Sequence, residues 1–520
     1  MRLTKTLASA ALCAFTTLSR AALPESAPVV TVGANLKQLQ FDWAQVPRSN
    51  TYELWFKAND QAPWIKYTEM SPRDGSRFRI NVSVHLLDWR VARYRVAACN
   101  PGGCKNSAEL VVSGLAPDAI GYIKPTSNVA TNQWFGYAVA LSADGLTLAV
   151  LTGETVGYAI NTAVVNVYRR KNSGAPWRRE ARFAPSTLQT STALNYLGKP
   201  LALSGDGNLL ALGLPTERPT AAPPYSTGAV YLFRRDGVTW SQEQKIPGAT
   251  TSLNYFGVDV DVDDAGDTLA VGRNTSDEGP SSFGTVDIFH HGGSGWQRTT
   301  SLPAPREGNV LGICRGNSLS GDGRTLVRSC ALSGQTIVQV FQAPDWALCQ
   351  TLDVAGQSDR GGIDVNGDGT RLAVEADGIR VFDKSSGAWL LDGHFDGPVT
   401  ATFATRSAIA ISRDGKLLAL GNAHDDRAGT GLAYPGDPES PGNRDTGTVV
   451  IYERKSSGWS VRRIIKANTP TPQWFGNSVA LGDFGRVLAV GAPFDESAAT
   501  GIDGDQTDTS SPWRGAVWLY

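Results

Sequence analysis

The stretch Trp474-Phe475-Gly476-Asn477-Ser478-Val479-Ala480-Leu481 leads to a turn closing on Gly485 and then to Val487-Leu488-Ala489-Val490-Gly491-Ala492-Pro493. A long polar loop separates it from Gly515-Ala516-Val517-Trp518-Leu519-Tyr520. Short apolar runs bounded by turn residues read as strands. The same sentence recurs upstream, and a recurring unit decides the fold before any other signal. Its ruler is the turn glycine, at Gly145, Gly207, Gly266, Gly323, Gly369, Gly415 and Gly485. Leu141-Ser142-Ala143-Asp144-Gly145, Leu203-Ser204-Gly205-Asp206-Gly207, Leu319-Ser320-Gly321-Asp322-Gly323 and Ile411-Ser412-Arg413-Asp414-Gly415 are nearly one text. Asp-Gly between apolar runs marks a hairpin, because glycine adopts positive φ freely. A second strand follows, as in Leu148-Ala149-Val150. A third ends on an aromatic, as in Val230-Tyr231-Leu232-Phe233, and a fourth starts near Trp177, Trp240, Trp296, Trp346, Trp389 or Trp459. Four strands per unit and seven units predict an all-β chain whose main part, residues 117–520, is a seven-bladed β-propeller.

Ring closure is also written in the chain. Ile120-Gly121-Tyr122-Ile123-Lys124 precedes Gln133-Trp134-Phe135-Gly136 as Arg463-Ile464-Ile465-Lys466 precedes Gln473-Trp474-Phe475-Gly476. Residues 119–124 therefore read as a fourth strand without its first three, and 515–520 as a third strand without its fourth. Pairing them leaves no bare sheet edge.

Composition sets the class. The 520 residues carry 48 Lys plus Arg against 49 Asp plus Glu, a net charge of −1, with 56 Gly and two Met. Such a balance gives no electrostatic case for nucleic acid or an anionic membrane. Arg2 and Lys5, the apolar Leu7 to Leu18 and the small residues of Ser19-Arg20-Ala21 read as a signal peptide over residues 1–21. Cys13 lacks the preceding small residues of a lipoprotein signal, and no later run is long enough to span a bilayer. The expected location is the periplasm, the cell surface or the medium. That compartment permits disulfides. Cys99-Cys104 reads as a stapled hairpin and Cys314-Cys330 as a pair on neighbouring strands, leaving Cys349 single.

Residues 27–115 form a separate all-β unit. Trp43, Tyr52 and Tyr94-x-Val96-x-Ala98-x-Asn100 resemble a fibronectin type III domain over about 90 residues, which implies a small two-sheet sandwich serving as spacer or binding module. The propeller repeats, with Phe475-Gly476 and Gly491-Ala492-Pro493, resemble FG-GAP repeats, those of integrin α-chains and of secreted bacterial proteins. The resemblance extends over about 400 residues and is weakest where Val310-Leu311-Gly312 and Gly361-Gly362 replace the aromatic-glycine pair. A WD-type propeller is the lesser alternative, since no Trp-Asp ends a third strand.

The FG-GAP resemblance implies calcium in the first turn of some repeats. Asp364-Val365-Asn366-Gly367-Asp368-Gly369 has the spacing, so Asp364, Asn366 and Asp368 are the candidate calcium ligands, although Leu372 stands where a later acid would be. The other turns offer Ser and one Asp, which suits turn chemistry. Asp259, Asp261 and Asp263 alternate on one strand and read equally as a solvated face. No cofactor beyond possible calcium is indicated.

Local catalytic motifs are absent from the text: His85, His290, His291, His394 and His424 sit in no metal motif, and no G-x-S-x-G occurs. The expected function is recognition of an extracellular protein or glycan by a monomer, through the loops between second and third strands. Candidate ligand residues there are Asp425, Asp426, Tyr434, Asp437, Asp445, Asp495, Asp503, Asp505 and Trp513. The alternative is an extracellular polysaccharide lyase or glycosidase, which requires acidic or basic residues clustered at the ring centre.

Overall fold

The computed structural model describes residues 21–126, 133–156, 159–185, 198–218, 226–249, 254–274, 283–354, 361–376, 378–385, 387–395, 408–427, 429–435, 445–468, 473–506, 508–510 and 513–520. The signal-peptide reading over 1–21, all but its last residue, and Asp437 lie outside them. Two compact units result. One comprises residues up to 33, 40–79 and 88–114; the other takes in 34–39, 80–87 and 115–520.

In the first unit, Thr51–Lys57 pairs with Ile65–Met70 on one side and Arg93–Asn100 on the other. Alternation buries Phe41, Trp43, Tyr52, Leu54, Phe78, Tyr94 and Val96 while the residues between them stay partly exposed. That period-two pattern is what a strand with one dry face requires. Trp43 meets Tyr52 edge-on at 4.9 Å, and the Tyr52 hydroxyl accepts the Val46 amide at 2.7 Å. Cys99 and Cys104 face each other across the hairpin and are disulfide-bonded.

The second unit is a β-propeller. Among the described residues it holds seven antiparallel sheets of four or five strands. The innermost strands are Ala138–Leu141, Leu201–Leu203, Asp259–Val262, Ile313–Leu319, Ile363–Val365, Ala408–Ile411 and Ser478–Gly482. Each touches the next, and the last touches the first, so they close a ring. In the seventh sheet the outermost strand is Gly121–Ile123, paired antiparallel with Ala516–Leu519 through Trp518 opposite Tyr122. Ile120, Tyr122 and Ile123 are buried by that pairing, at roughly 1.5–3 kcal/mol per large apolar side chain. Cys314 and Cys330 are register partners and form the second disulfide; Cys349 is exposed and single.

The recurring Phe-Gly has a mechanical meaning. Phe135, Phe256 and Phe475 are buried between sheets. The following glycine lies against a second-strand glycine of the preceding sheet: a Cβ on Gly213 would stand 2.0 Å from the Gly257 carbonyl oxygen, and one on Gly491 2.0 Å from that of Gly136. Only residues without a side chain permit this backbone approach.

The turns repeat as closely. Ser142, Ser204, Ser320 and Ser412 each accept, at 2.9 Å, the amide five residues on. Asn366 and Asp263 do the same at 2.8 and 3.0 Å. Backbone bonds then join turn to turn around the ring, from Ala143 to Gly205 and from Asp264 to Gly321 at 2.9 Å, and from Asp483 to Ala143 at 2.8 Å.

Candidate ligand-binding site

Two cavities lie along the inner strands. The smaller, about 160 Å³, is lined by all seven inner strands and reaches the turns. At that end an ion pair between Asp264 and Arg413 spans the channel. Gly205, Gly321 and Gly367 make room for it: a Cβ on each would come within 2.3, 2.3 and 2.4 Å of one of these two side chains.

The channel interior carries an unexpected acidic group. Asp259, Asp261 and Asp263 are buried, so they are not a solvated face. Asp259 accepts the Asn317 amide at 3.3 Å and Asp261 the Leu319 amide at 3.0 Å, tying the third sheet to the fourth. The Ser318 hydroxyl lies 3.1 Å from Asp261 and 2.8 Å from Asp364. Asp364 also accepts the Ile411 amide at 2.9 Å, which links the fifth sheet to the sixth. Burial pushes the Asp364 carboxyl above the ordinary range, and the Lys199 charge only partly opposes this. Lys199 Nζ stands 3.6 Å from Asp261.

The larger cavity, about 330 Å³, lies where the inner strands begin. Its walls include Trp134, Tyr137, Trp474 and Phe494, with Lys199, Asn477 and Ser478 as polar groups. Phe494 stands edge-on to both tryptophans, at 5.3 Å from Trp134 and 4.4 Å from Trp474. Trp134 and Trp474 occupy equivalent positions in two repeats. Each holds a left-handed backbone, φ 43° and 53°, which lets its amide reach the carbonyl of Trp513 or Asp445. A bulky residue there is strained, and glycine or asparagine would hold the same turn more cheaply. Both rings face the cavity.

The sequence-selected residues are distributed around this end. Asp425 and Asp495 are interior, which corrects their reading as surface ligands. Asp495 accepts Lys124 Nζ at 2.7 Å and the Tyr122 hydroxyl at 2.6 Å. Burial holds the Lys124 ammonium below its ordinary range, and Asp495 only partly restores it. Burial works to raise the Asp425 carboxyl, but hydrogen bonds from Arg427 and the Lys466 charge, 3.7 Å away, bring it below the usual range. Glu217 is the third member of the set, bound by Lys245 at 2.6 Å and Tyr231 at 3.0 Å. Sequence reading missed this trio, although its signal was present: Gly213, Gly421 and Gly491 each precede the acid by four residues, and each lysine sits at the end of a fourth strand.

Asp426 accepts the Asp445 amide at 2.7 Å, Asp445 hydrogen-bonds His424, and His424 lies edge-on against Trp474 at 4.7 Å. These three are thus brought to the rim of the aromatic cluster. Trp513 joins it through Phe494 at 5.9 Å. Tyr434 lies under the Arg463 guanidinium, 3.7 Å from the ring centre. Asp503 accepts the Tyr122 amide at 3.1 Å, and the Asp505 carbonyl accepts Ser497 at 3.5 Å, so both serve the closing strand and its loop.

The calcium candidates do not fit an ion-binding loop. Calcium needs about six to eight converging oxygens. Asn366 and Asp368 both accept the Thr370 amide, at 2.9 and 3.1 Å, while Asp364 turns into the channel toward Ser318.

No protein-family model matches the chain, and no curated protein does. Solved structures with a similar fold include a protein from Lactobacillus plantarum, 16% identical with a TM-score of 0.42, covering 72% of this chain and 99% of that one. The Dos1 propeller is 11% identical with a TM-score of 0.40, covering 77% and 94%. TolB from Acinetobacter baumannii is 10% identical with a TM-score of 0.34, covering 73% and 77%. The propeller described above stands on this chain's own strand order.

Proposed function

We propose that this chain is a secreted, periplasmic or cell-surface recognition protein. Its seven-bladed propeller is of FG-GAP type and follows a fibronectin type III-like module. Support for the repeat type is the Phe-Gly clasp against the second-strand glycine. Support for the compartment is the pair of disulfides. The binding reading is carried by one observation: a cavity of about 330 Å³ walled by four aromatic rings, at the end of the ring where the variable loops lie. Concave, mostly apolar sites with a few convergent polar groups are where ligands bind. The ligand is an extracellular protein segment or a glycan. A pull-down from culture surroundings tests this. Replacing residues 496–512 by a short Gly-Ser loop removes the captured partner, whereas changing the turn at Gly207 keeps it; the reverse result overturns the reading.

One observation favours a second reading, a glycosidase or lyase. Asp261, Asp364 and Lys199 do gather in the channel, as such chemistry requires. Turnover of a polysaccharide that disappears in both Asp261→Asn and Asp364→Asn would establish it.

A further inference from the structure

We infer that the aromatic cavity takes the ring of an uncharged saccharide; this rests on the recognition reading above and narrows its ligand. The walls come first. Trp134 and Trp474 are half-buried, so each presents part of an indole to the cavity, and Phe494 between them holds both in place. Tyr137 stacks on Trp134 with an interplanar angle of 23° and extends that wall. Rigid aromatic faces match the C–H faces of a pyranose, and they are held here by packing and by the backbone bonds of the strained turns. The polar groups are few and lie together on the inner strands and their approaches: Lys199, Asn477 and Ser478. Asn477 Nδ2 already donates to the Tyr137 carbonyl at 2.9 Å, which fixes the amide so that its oxygen is the group left for a hydroxyl.

Charge decides between ligand classes. Lys199 is the single charged residue among the described lining of the cavity. It is balanced from below by Asp261 at 3.6 Å. Asp264 and Arg413 balance each other at the far end of the channel. Asp364 lies deeper, where the Ser318 hydroxyl stands between it and Asp261. Within the cavity lining a cationic ligand would meet Lys199, and an anionic one would have to displace Asp261. A neutral ring with hydroxyls meets neither penalty.

The test uses the full secreted chain and tryptophan fluorescence. The probes are neutral oligosaccharides (glucan, mannan, xylan and chitin hexamers), polygalacturonate as the anionic member and chitosan hexamer as the cationic one. At least one neutral hexamer changes the emission saturably, and its affinity is unchanged between low and high salt, because no ion pair forms. Trp474→Ala weakens it about tenfold or more, in line with loss of a stacking face. Trp474→Phe retains part of the affinity and stands in should Trp474→Ala unfold. Binding confined to polygalacturonate or chitosan, binding lost with salt, saturable binding of a neutral hexamer indifferent to both Trp134→Ala and Trp474→Phe, or no response to any hexamer at millimolar concentration each overturns the inference. In the last case a partner captured through the loop at 496–512 leaves the wider recognition reading intact, so the two failures are distinguishable.

Discussion

At the turn end of the propeller, six of the sheets make the same hydrogen bond, a Ser, Asn or Asp side chain accepting from the amide five residues on, and neighbouring turns clasp one another. At the cavity end the same repeats diverge. Position by position, Trp134, Tyr255 and Trp474 share one strained turn. The residue before the buried acid is Thr216, His424 or Phe494. Uniformity sits where sheets must interlock in the same way, and variety sits where the ring ends in a cavity. The acid–lysine pairs complicate this division, for they are a uniform device placed at the varied end. They anchor the loops that carry the variation.

The largest expected effect breaks that anchor. Lys124 and Asp495 have side-chain exposures of 0% and 2%, Lys466 and Asp425 of 7% and 0%, and Lys245 and Glu217 of 30% and 4%. Removing one partner of a buried pair strands the other charge, at about 3–5 kcal/mol. Lys124→Met should approach that loss in urea unfolding. Lys466→Met should lose less, because Arg427 still holds Asp425. Lys245→Met should lose least, since water already reaches its ammonium. The double variant Lys124→Met/Asp495→Leu should recover much of the stability. Equal losses for all three lysines would show that the loops, not the buried charges, set the cost.

The turn end has its own sensitive group. His85, in the segment 80–87 that the second unit takes in, donates from Nε2 to the carbonyl of Gly485 at 2.8 Å. Burial, reinforced by the Lys37 charge, pushes its pKa down to about 3. The histidine thus stays neutral in the fold, while the unfolded chain takes up a proton below a pH of about 6.5. Its contribution is complete above that pH and is lost as pH falls toward about 3. Linkage gives roughly 1.4 kcal/mol per pH unit, so about 2–3 kcal/mol by a pH of about 4.5. Carboxylates titrate in the same window, so the measurement is the difference between wild type and His85→Gln. Parallel stability–pH curves for the two would refute the assignment.

A smaller effect sharpens the uniformity itself. Ser204→Ala leaves the buried Leu209 amide without its acceptor, at about 1–2 kcal/mol. Ser142→Ala, Ser320→Ala and Ser412→Ala should match it closely, because each removes the same bond. Partner binding should be unchanged in all four. A spread of several-fold among them would mean that the turns differ in ways their hydrogen bonds do not record.

How much of this was legible follows from what each signal encodes. The seven turn glycines and the closing strand were readable because hairpins and sheet edges are local or repeated patterns. Gly121–Ile123 pairs with Ala516–Leu519 as the matching text around Lys124 and Lys466 implied. Asp425 and Asp495 were misread because an acid in a polar loop looks the same whether it faces water or a lysine at the end of its own sheet's fourth strand. Asp261 and Asp364 were misread for a different reason. Their meeting at Ser318 depends on the packing of three successive sheets around the ring, which a local pattern does not record. Ring geometry also creates the aromatic cavity, since Trp134 and Trp474 are neighbours only once the first and seventh sheets touch.

The smallest expected effect concerns Asp364, Asn366 and Asp368, where a calcium-like spacing meets a turn built like its neighbours. An ion bound there with a free concentration a hundredfold above its dissociation constant would stabilise the fold by about 2.7 kcal/mol. That ion would have to take Asn366 Oδ1 from two amides and Asp368 Oδ1 from Thr370, and swing Asp364 out of the channel. The turn already satisfies its donors in the manner of the serine turns, so it has nothing to gain from the exchange. Millimolar calcium added to chelator-treated protein should therefore produce the same change in melting temperature, whatever its size, in wild type and in Asp368→Ala. Asp368→Ala alone should lower stability by about 1 kcal/mol, as for any lost turn acceptor. A calcium-dependent rise in wild type that vanishes in the variant would show the turn reopening around the ion, and would make this one repeat the exception at the otherwise uniform end.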